Sequence, residues 1–162
     1  MSDRKETTAK LSELVKKHIN PRNDPRIYTA REVTFDYLED HTIRVDFMRF
    51  KPINNSVSGI EQGSFYCYEV KSSVADFRSK NGHNFIGDYN YYVMPEDVYE
   101  AVKNEIPYNI GVLVPVRDQW SGWEHLLSVK NAKRKNRDRP VSEMLLMMFR
   151  SAARDYRREA EE

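Results

Sequence analysis

Residues 64–71, "SFYCYEVK", most constrain what this chain can fold into. Side chains alternate along a strand, so Phe65, Cys67, Glu69 and Lys71 share one face and Tyr66, Tyr68 and Val70 the other. Both faces start apolar, which requires cover on both sides and a central place in a sheet. Downstream, "YNYYVM" (Tyr89 to Met94) reads as a strand, "PEDVYEAVKNEI" as a helix opened by Pro95, and "IGVLVPV" (Ile110 to Val116) as an apolar strand. A helix between two such strands is a βαβ unit with parallel pairing. The fold class expected is therefore α/β, a mixed central sheet flanked by helices.

The upstream half supplies antiparallel strands. Val33, Phe35 and Tyr37 alternate with Glu32, Thr34 and Asp36 across Ile27 to Tyr37. After a turn at "LEDH", Ile43, Val45 and Phe47 alternate with Arg44, Asp46 and Met48 in "TIRVDFMRF". "KPINNSVSGIEQG" reads as a long polar loop, and Ser73 with Asp76 as a capping box opening a short helix that ends near Asn81-Gly82. Leu11, Leu14, Val15 and Ile19 predict a first helix from about Lys5 to His18, and "WEHLLSVK" an edge strand. A last helix follows Pro140, with Val141, Met144, Leu145, Met148 and Ala152 on one face and charged final turns that project or fray.

A chain of 162 residues, 40% of them hydrophobic, has material for one core, so 1–162 is read as a single domain. Within it lie a core at about 27–116, a basic segment at 130–139 and a C-terminal helix at about 140–158. "MSDRKETTAK" lacks the apolar stretch of a secretory signal, and no apolar run approaches the ~18 residues of a membrane span, so a cytoplasmic protein without a membrane partner is expected. Cys67 is the only cysteine, which excludes an internal disulfide and a multi-cysteine zinc site.

The chemistry concentrates at the end of the central strand. Glu69 and Lys71 share a face, and Asp46 joins them if its strand pairs in the right register. Two carboxylates and an amine suit metal-assisted phosphodiester hydrolysis, because Mg²⁺ takes oxygen ligands from one or two carboxylates plus substrate phosphate. Asp46, Glu69 and the backbone carbonyl of Val70 would be the ligands, and Lys71 would orient water or neutralise developing charge.

"RVDFMRF" followed by "YCYEVKSS" resembles the PD-(D/E)xK nuclease superfamily, whose motif is an Asp and, on the next strand, an acid-x-Lys. "EVKSSVADFRSK" followed by "GDYNYYVMP" looks like its MmcB-type DNA-repair and phage-borne branch. The resemblance runs from about Arg44 to Pro115, with Val45 where the motif has proline. It implies a restriction-endonuclease-like αβββαβ core, a Mg²⁺- or Mn²⁺-dependent nuclease acting on DNA in repair, replication or phage DNA metabolism, and catalytic Asp46, Glu69 and Lys71. Many members carry a glutamate on the first helix; Glu13 is the candidate, although the helical wheel puts it on the wet face.

Other residues carry two readings each. Asp76 is a helix cap or a ligand, and His83 is a solvated loop histidine or one that reaches substrate phosphate. The basic run of Lys130, Lys133, Arg134, Lys135, Arg137 and Arg139 is a solvated linker or a phosphate-binding surface. Tyr89, Tyr91, Tyr92, Trp120 and Trp123 are core or base-stacking groups. The cluster Met144 to Met148 is core or a homodimer contact. The alternative function is a non-catalytic nucleic-acid-binding or interaction module on a nuclease-like fold.

Overall fold

The computed structural model describes residues 4–162. The first three residues of the N-terminal stretch read above lie outside this range.

Helix α1 spans Arg4–Ile19 and buries Leu11, Leu14, Val15 and Ile19, the set its spacing predicts. Strands β1 (Tyr28–Phe35), β2 (Ile43–Lys51) and β3 (Ser64–Val70) follow, with α2 (Val57–Glu61) between the last two. The loop expected there is thus partly helical. Ser56 caps α2 by accepting the Gly59 N–H, a local signal inside a polar stretch.

Helix α3 (Val74–Arg78) starts at the Ser73 cap, whose hydroxyl accepts the Asp76 N–H. Then come β4 (Tyr89–Val93), α4 (Glu96–Val102), β5 (Gly111–Arg117), β6 (Glu124–Lys130) and α5 (Val141–Glu161). The αβββαβ order is present, with α2 as an insertion and α5 added at the C-terminus.

The six strands form one mixed sheet in sequence order, with β3 central as its two apolar faces require. β1–β2, β2–β3 and β5–β6 are antiparallel; β3–β4 and β4–β5 are parallel, as the βαβ unit demands. One face packs Val45, Met48, Phe50, Phe65 and Cys67 against Val141, Met144 and Met148 of α5. The opposite face packs Phe47, Tyr68, Val70, Val93 and Leu113 against α1. Tyr92, Val112 and Val114 pack with Phe77, Val98 and Val102 of α3 and α4. Gly111 lets the Tyr91 ring lie over the β5 backbone, since a Cβ there would stand 2.5 Å from the ring.

Two expectations about the strands and helices change. Strict alternation put Val45 and Phe47 together and Met48 opposite; instead Val45 and Met48 share the α5 face and Phe47 turns to α1. Ala30 and Val33 of β1 likewise share the α5 face, and Glu32 between them adopts φ 49°. Glu32 and Asp46 interrupt an otherwise regular ladder, and the pleat inverts there. Secondly, α5 is held to the body as far as Asp155, and only the last turns, residues 156–161, stand exposed, still helical. Asp155 accepts from Arg31 at 2.9 Å and Arg154 donates to the Glu32 carbonyl at 3.2 Å, while Ser151 rather than Ala152 is buried. Among the described residues, no helix is long and apolar enough to cross a membrane.

Candidate active site

The site forms where β2 and β3 part. Their ladder ends at Phe47 and Tyr68, and the same register carried one step further sets Asp46 opposite Glu69. In place of a further backbone bond, the Val70 N–H donates to Asp46 Oδ2 at 2.9 Å. The carboxyl is thereby held across the end of the central strand. Glu69 is fully buried beside it at 0% exposure, and neither of its oxygens reaches a hydrogen-bond partner of good geometry. Lys71, 2% exposed, donates its Nζ to the Asn81 carbonyl at 2.6 Å. The three residues singled out from sequence are therefore brought together.

Gly82 closes the site from above. Its φ of +72° favours glycine, and a Cβ there would lie 2.7 Å from Lys71 Nζ and 3.4 Å from Glu69 Oε2. Asn84 ties the same loop to β2 by donating to the Arg44 carbonyl at 2.9 Å. Sequence reading stopped at Asn81-Gly82 as a helix end; a dipeptide suited to positive φ was the available signal.

Burial governs the electrostatics. Loss of solvent, then the neighbouring Asp46 carboxylate, push the Glu69 carboxyl up to about 9, with Lys71 opposing. Burial raises Asp46 as well, against the Val70 N–H that stabilises its anion. Two adjacent carboxyls with raised proton affinity, one buried and one half-buried, form a site that gains from a cation.

Asp46, Val70 and Lys71 line a cavity of about 1040 Å³. Its walls carry Arg4, Lys16, Arg31, Arg44 and Lys80, contributed by α1, β1, β2 and the loop after α3, interleaved with Glu13, Glu32, Asp40 and Asp76. Arg4, Lys16 and Arg31 are ion-paired, and Arg44 and Lys80 are the cations left over among the described residues. Sequence reasoning missed this mixed-charge rim, because its members are scattered along the chain. A second cavity, of about 750 Å³, lies between α1 and the start of α4, but its Glu6, Glu96 and Asp97 are all exposed.

The secondary candidates separate. Glu13 lines the cavity on the wet face of α1, where it accepts from Lys16 at 2.7 Å, and that pairing lowers its proton affinity. Asp76 also lines it, but works as a cap: Oδ2 accepts the Ser72 N–H at 3.0 Å and Oδ1 binds Arg4 at 2.8 Å. His83 points away. Nδ1 meets Tyr92 Oη at 2.6 Å and Nε2 meets the Ser79 carbonyl at 2.7 Å, so both ring nitrogens are engaged in structure.

The basic run also receives a different role. Asp88, 2% exposed, accepts the Phe65 N–H at 2.8 Å and meets Arg137 at 3.3 Å. Lys130 donates to the Pro107 carbonyl and Lys135 to the Phe85 carbonyl, and Arg139 forks onto Asp36 at 2.8 and 2.9 Å. Lys130, Lys135 and Arg137 tie the segment to the chain just before β5, β4 and β3, while Arg139 ties its end to the residue that follows β1. Lys133 and Arg134 stay exposed. Phe65 to Glu69 spans roughly 13 Å of strand, so Arg137 and Asp88 sit at the opposite end of β3 from the carboxylates. Of the proposed stacking groups, Tyr66–Tyr89 and Tyr68–Tyr91 stack on each other at 5.0 and 5.5 Å, and Trp120 is 96% exposed.

The donor set is all oxygen. Among the described residues no group of three or more His, Cys, Asp or Glu side chains converges. Glu69, with both oxygens unpartnered, and Asp46, bonded through one, still suit a hard cation that keeps water and takes substrate phosphate as further ligands. Asp46 and Glu69 are the residues that would hold it.

No protein-family model matches this sequence, and no curated protein matches it either. A solved structure of a protein of unknown function from Silicibacter pomeroyi is similar over 91% of this chain and 85% of its own, with a TM-score of 0.58 and 18% identity. That likeness concerns the fold alone.

Proposed function

We propose that this protein is a Mg²⁺- or Mn²⁺-dependent nuclease of the PD-(D/E)xK type that hydrolyses phosphodiester bonds in DNA. The observation that carries the reading is the meeting of Asp46, Glu69 and Lys71 at the end of the central strand, with both Glu69 oxygens buried and unpartnered. Chance Asp and Glu-x-Lys residues would be solvated on a sheet surface instead. Arg44 and Lys80, the unpaired cations of the mixed-charge rim, support a phosphate-bearing substrate, since cations along a groove attract phosphates without reading sequence.

A divalent cation held by Asp46 and Glu69 would supply the positive charge that polarises a phosphoryl oxygen and makes water more acidic. The remaining work belongs to this chain's residues. Val70 fixes one oxygen of Asp46 through its N–H, which leaves the other free of that bond on a residue that lines the cavity. Asn81 holds Lys71 Nζ at the cavity, where the amine can exchange that carbonyl for a water or a phosphoryl oxygen. Arg44 and Lys80, without ion-pair partners among the described residues, are the rim cations freest to hold the backbone of the substrate.

The test is cleavage of plasmid and single-stranded DNA with Mn²⁺ by the purified protein. Glu69→Ala should abolish cleavage while the circular dichroism spectrum stays unchanged. Undiminished cleavage by that variant would refute the assignment.

One observation favours a non-catalytic nucleic-acid-binding module: among the described residues no third acid converges on the pair, Glu13 being bound to Lys16 and Asp76 to Arg4. That reading predicts salt-sensitive DNA binding that survives substitution of Asp46, Glu69 and Lys71, with no cleavage in either metal.

A further inference from the structure

Helix α5 is apolar on two sides. Its inner side buries Val141, Met144, Met148 and Ser151 against the sheet. At about 100° per residue, Leu146, Phe149, Ala153, Tyr156 and Ala160 fall on a second stripe roughly opposite the first. Leu146 is 53%, Phe149 70% and Tyr156 75% exposed. Spacings of three and four residues in alternation are those of a coiled-coil seam. Arg150 continues the patch sideways by lying 3.9 Å over the ring of Tyr37, itself 48% exposed beside Leu38 at 86%. A grouped apolar surface of this kind, unlike scattered single exposures, marks an interaction site.

We infer that a second copy of this chain docks along this stripe, with the two α5 helices antiparallel about a two-fold axis near Ser151. Three observations identify the occupant. In that register Phe149 falls opposite Ala153 of the second copy and Leu146 opposite Tyr156, so a large side chain meets a small one at the layer nearest the axis. Glu143, which also holds Arg139 of its own chain at 2.9 Å, and Arg157 flank the stripe on one side and fall opposite each other across the interface, twice by symmetry, on either side of a single Arg150 pair at the axis. Along the other flank Ala152 meets Ala152 of the second copy, which allows close approach. A parallel pairing would set Phe149 against Phe149 and leave Glu143 and Arg157 without opposite charges. This inference is independent of the nuclease reading.

Sedimentation and light scattering on the full chain test it. The expected mass is twice the 19.2 kDa of one chain in the micromolar range. Phe149→Glu should return it to one chain without loss of helical circular dichroism. Arg157→Glu should weaken association at least severalfold, and adding Glu143→Arg should restore it. Cys67 is buried, so an A152C variant carries one accessible thiol, and oxidation should link two chains. A single-chain mass for the wild type, or a Phe149→Glu protein that remains dimeric, overturns the inference. So does an A152C protein that fails to cross-link, or a monomer whose Phe149-dependent binding goes to vesicles of anionic lipid.

Discussion

Replacing Glu69 with Gln should make the metal-free protein more stable at neutral and alkaline pH, because burial of this carboxyl is what holds it near 9 instead of its ordinary 4.5. Between those values the folded chain keeps a proton that the unfolded chain has released. Folding stability of the wild type therefore falls as pH rises through this window, by about 1.4 kcal/mol per pH unit. The contribution is fully present below pH 4.5 and lost as pH rises through about 9. Gln keeps the shape and cannot ionise, so this slope should disappear. Between pH 6 and 8 the wild type should lose about 2.7 kcal/mol relative to Glu69→Gln, or roughly 5–10 °C in melting temperature for a domain of this size. Melting is followed by circular dichroism in the presence of a chelator across pH 5–9. Equal slopes for the two proteins would refute the argument that Glu69 is neutral and desolvated at pH 7. Added Mn²⁺ should stabilise the wild type and leave Glu69→Gln nearly unchanged, since binding to the folded state alone raises stability.

Asp46→Ala and Lys71→Ala should each lower cleavage at least about a hundredfold with little change in melting temperature; an active Lys71→Ala would remove the amine from the mechanism. Gly82→Ala should cost about 1–2 kcal/mol and also impair cleavage, because its methyl meets Lys71 Nζ at 2.7 Å; kinetics and thermal melts report the two effects separately. Arg137→Ala should destabilise by about 3 kcal/mol in urea unfolding, since it leaves the buried Asp88 short of a cation. Exposed Lys133→Glu should change stability by less than about 0.5 kcal/mol in the same assay. Arg44→Glu with Lys80→Glu should weaken DNA binding by the inactive Asp46→Ala protein and flatten its salt dependence; unchanged binding would remove the rim from the interface.

Much of the architecture follows from local pattern. Leu11, Leu14, Val15 and Ile19 define α1 in the sequence, and Ser73 caps α3 as its spacing implies. The two apolar faces of Phe65 to Val70 put β3 in the centre, and the stretch from Tyr89 to Val116 imposes parallel pairing. Glu69 and Lys71 share a face because both lie on one strand. Where the sequence left two readings open, the reason is common. The basic run looked available for phosphate because its acidic partners, Asp36 and Asp88, lie far away in the chain. His83 looked free because Tyr92 and Ser79 reach it only after folding.

What the sequence by itself determined is the order of elements and which side chains each strand or helix can present, since periods of two and 3.6 residues are properties of the backbone. Only the tertiary structure decided that Asp46 meets Glu69. That contact depends on the pairing of β2 with β3 and on the inversion of the pleat at Glu32 and Asp46, where a one-residue slip would reverse every side chain. The burial that leaves the Glu69 oxygens unpartnered, and the mixed-charge rim drawn from α1, β1, β2 and one loop, arise likewise from packing between segments remote in the chain. Local periodicity carries no information about such neighbours.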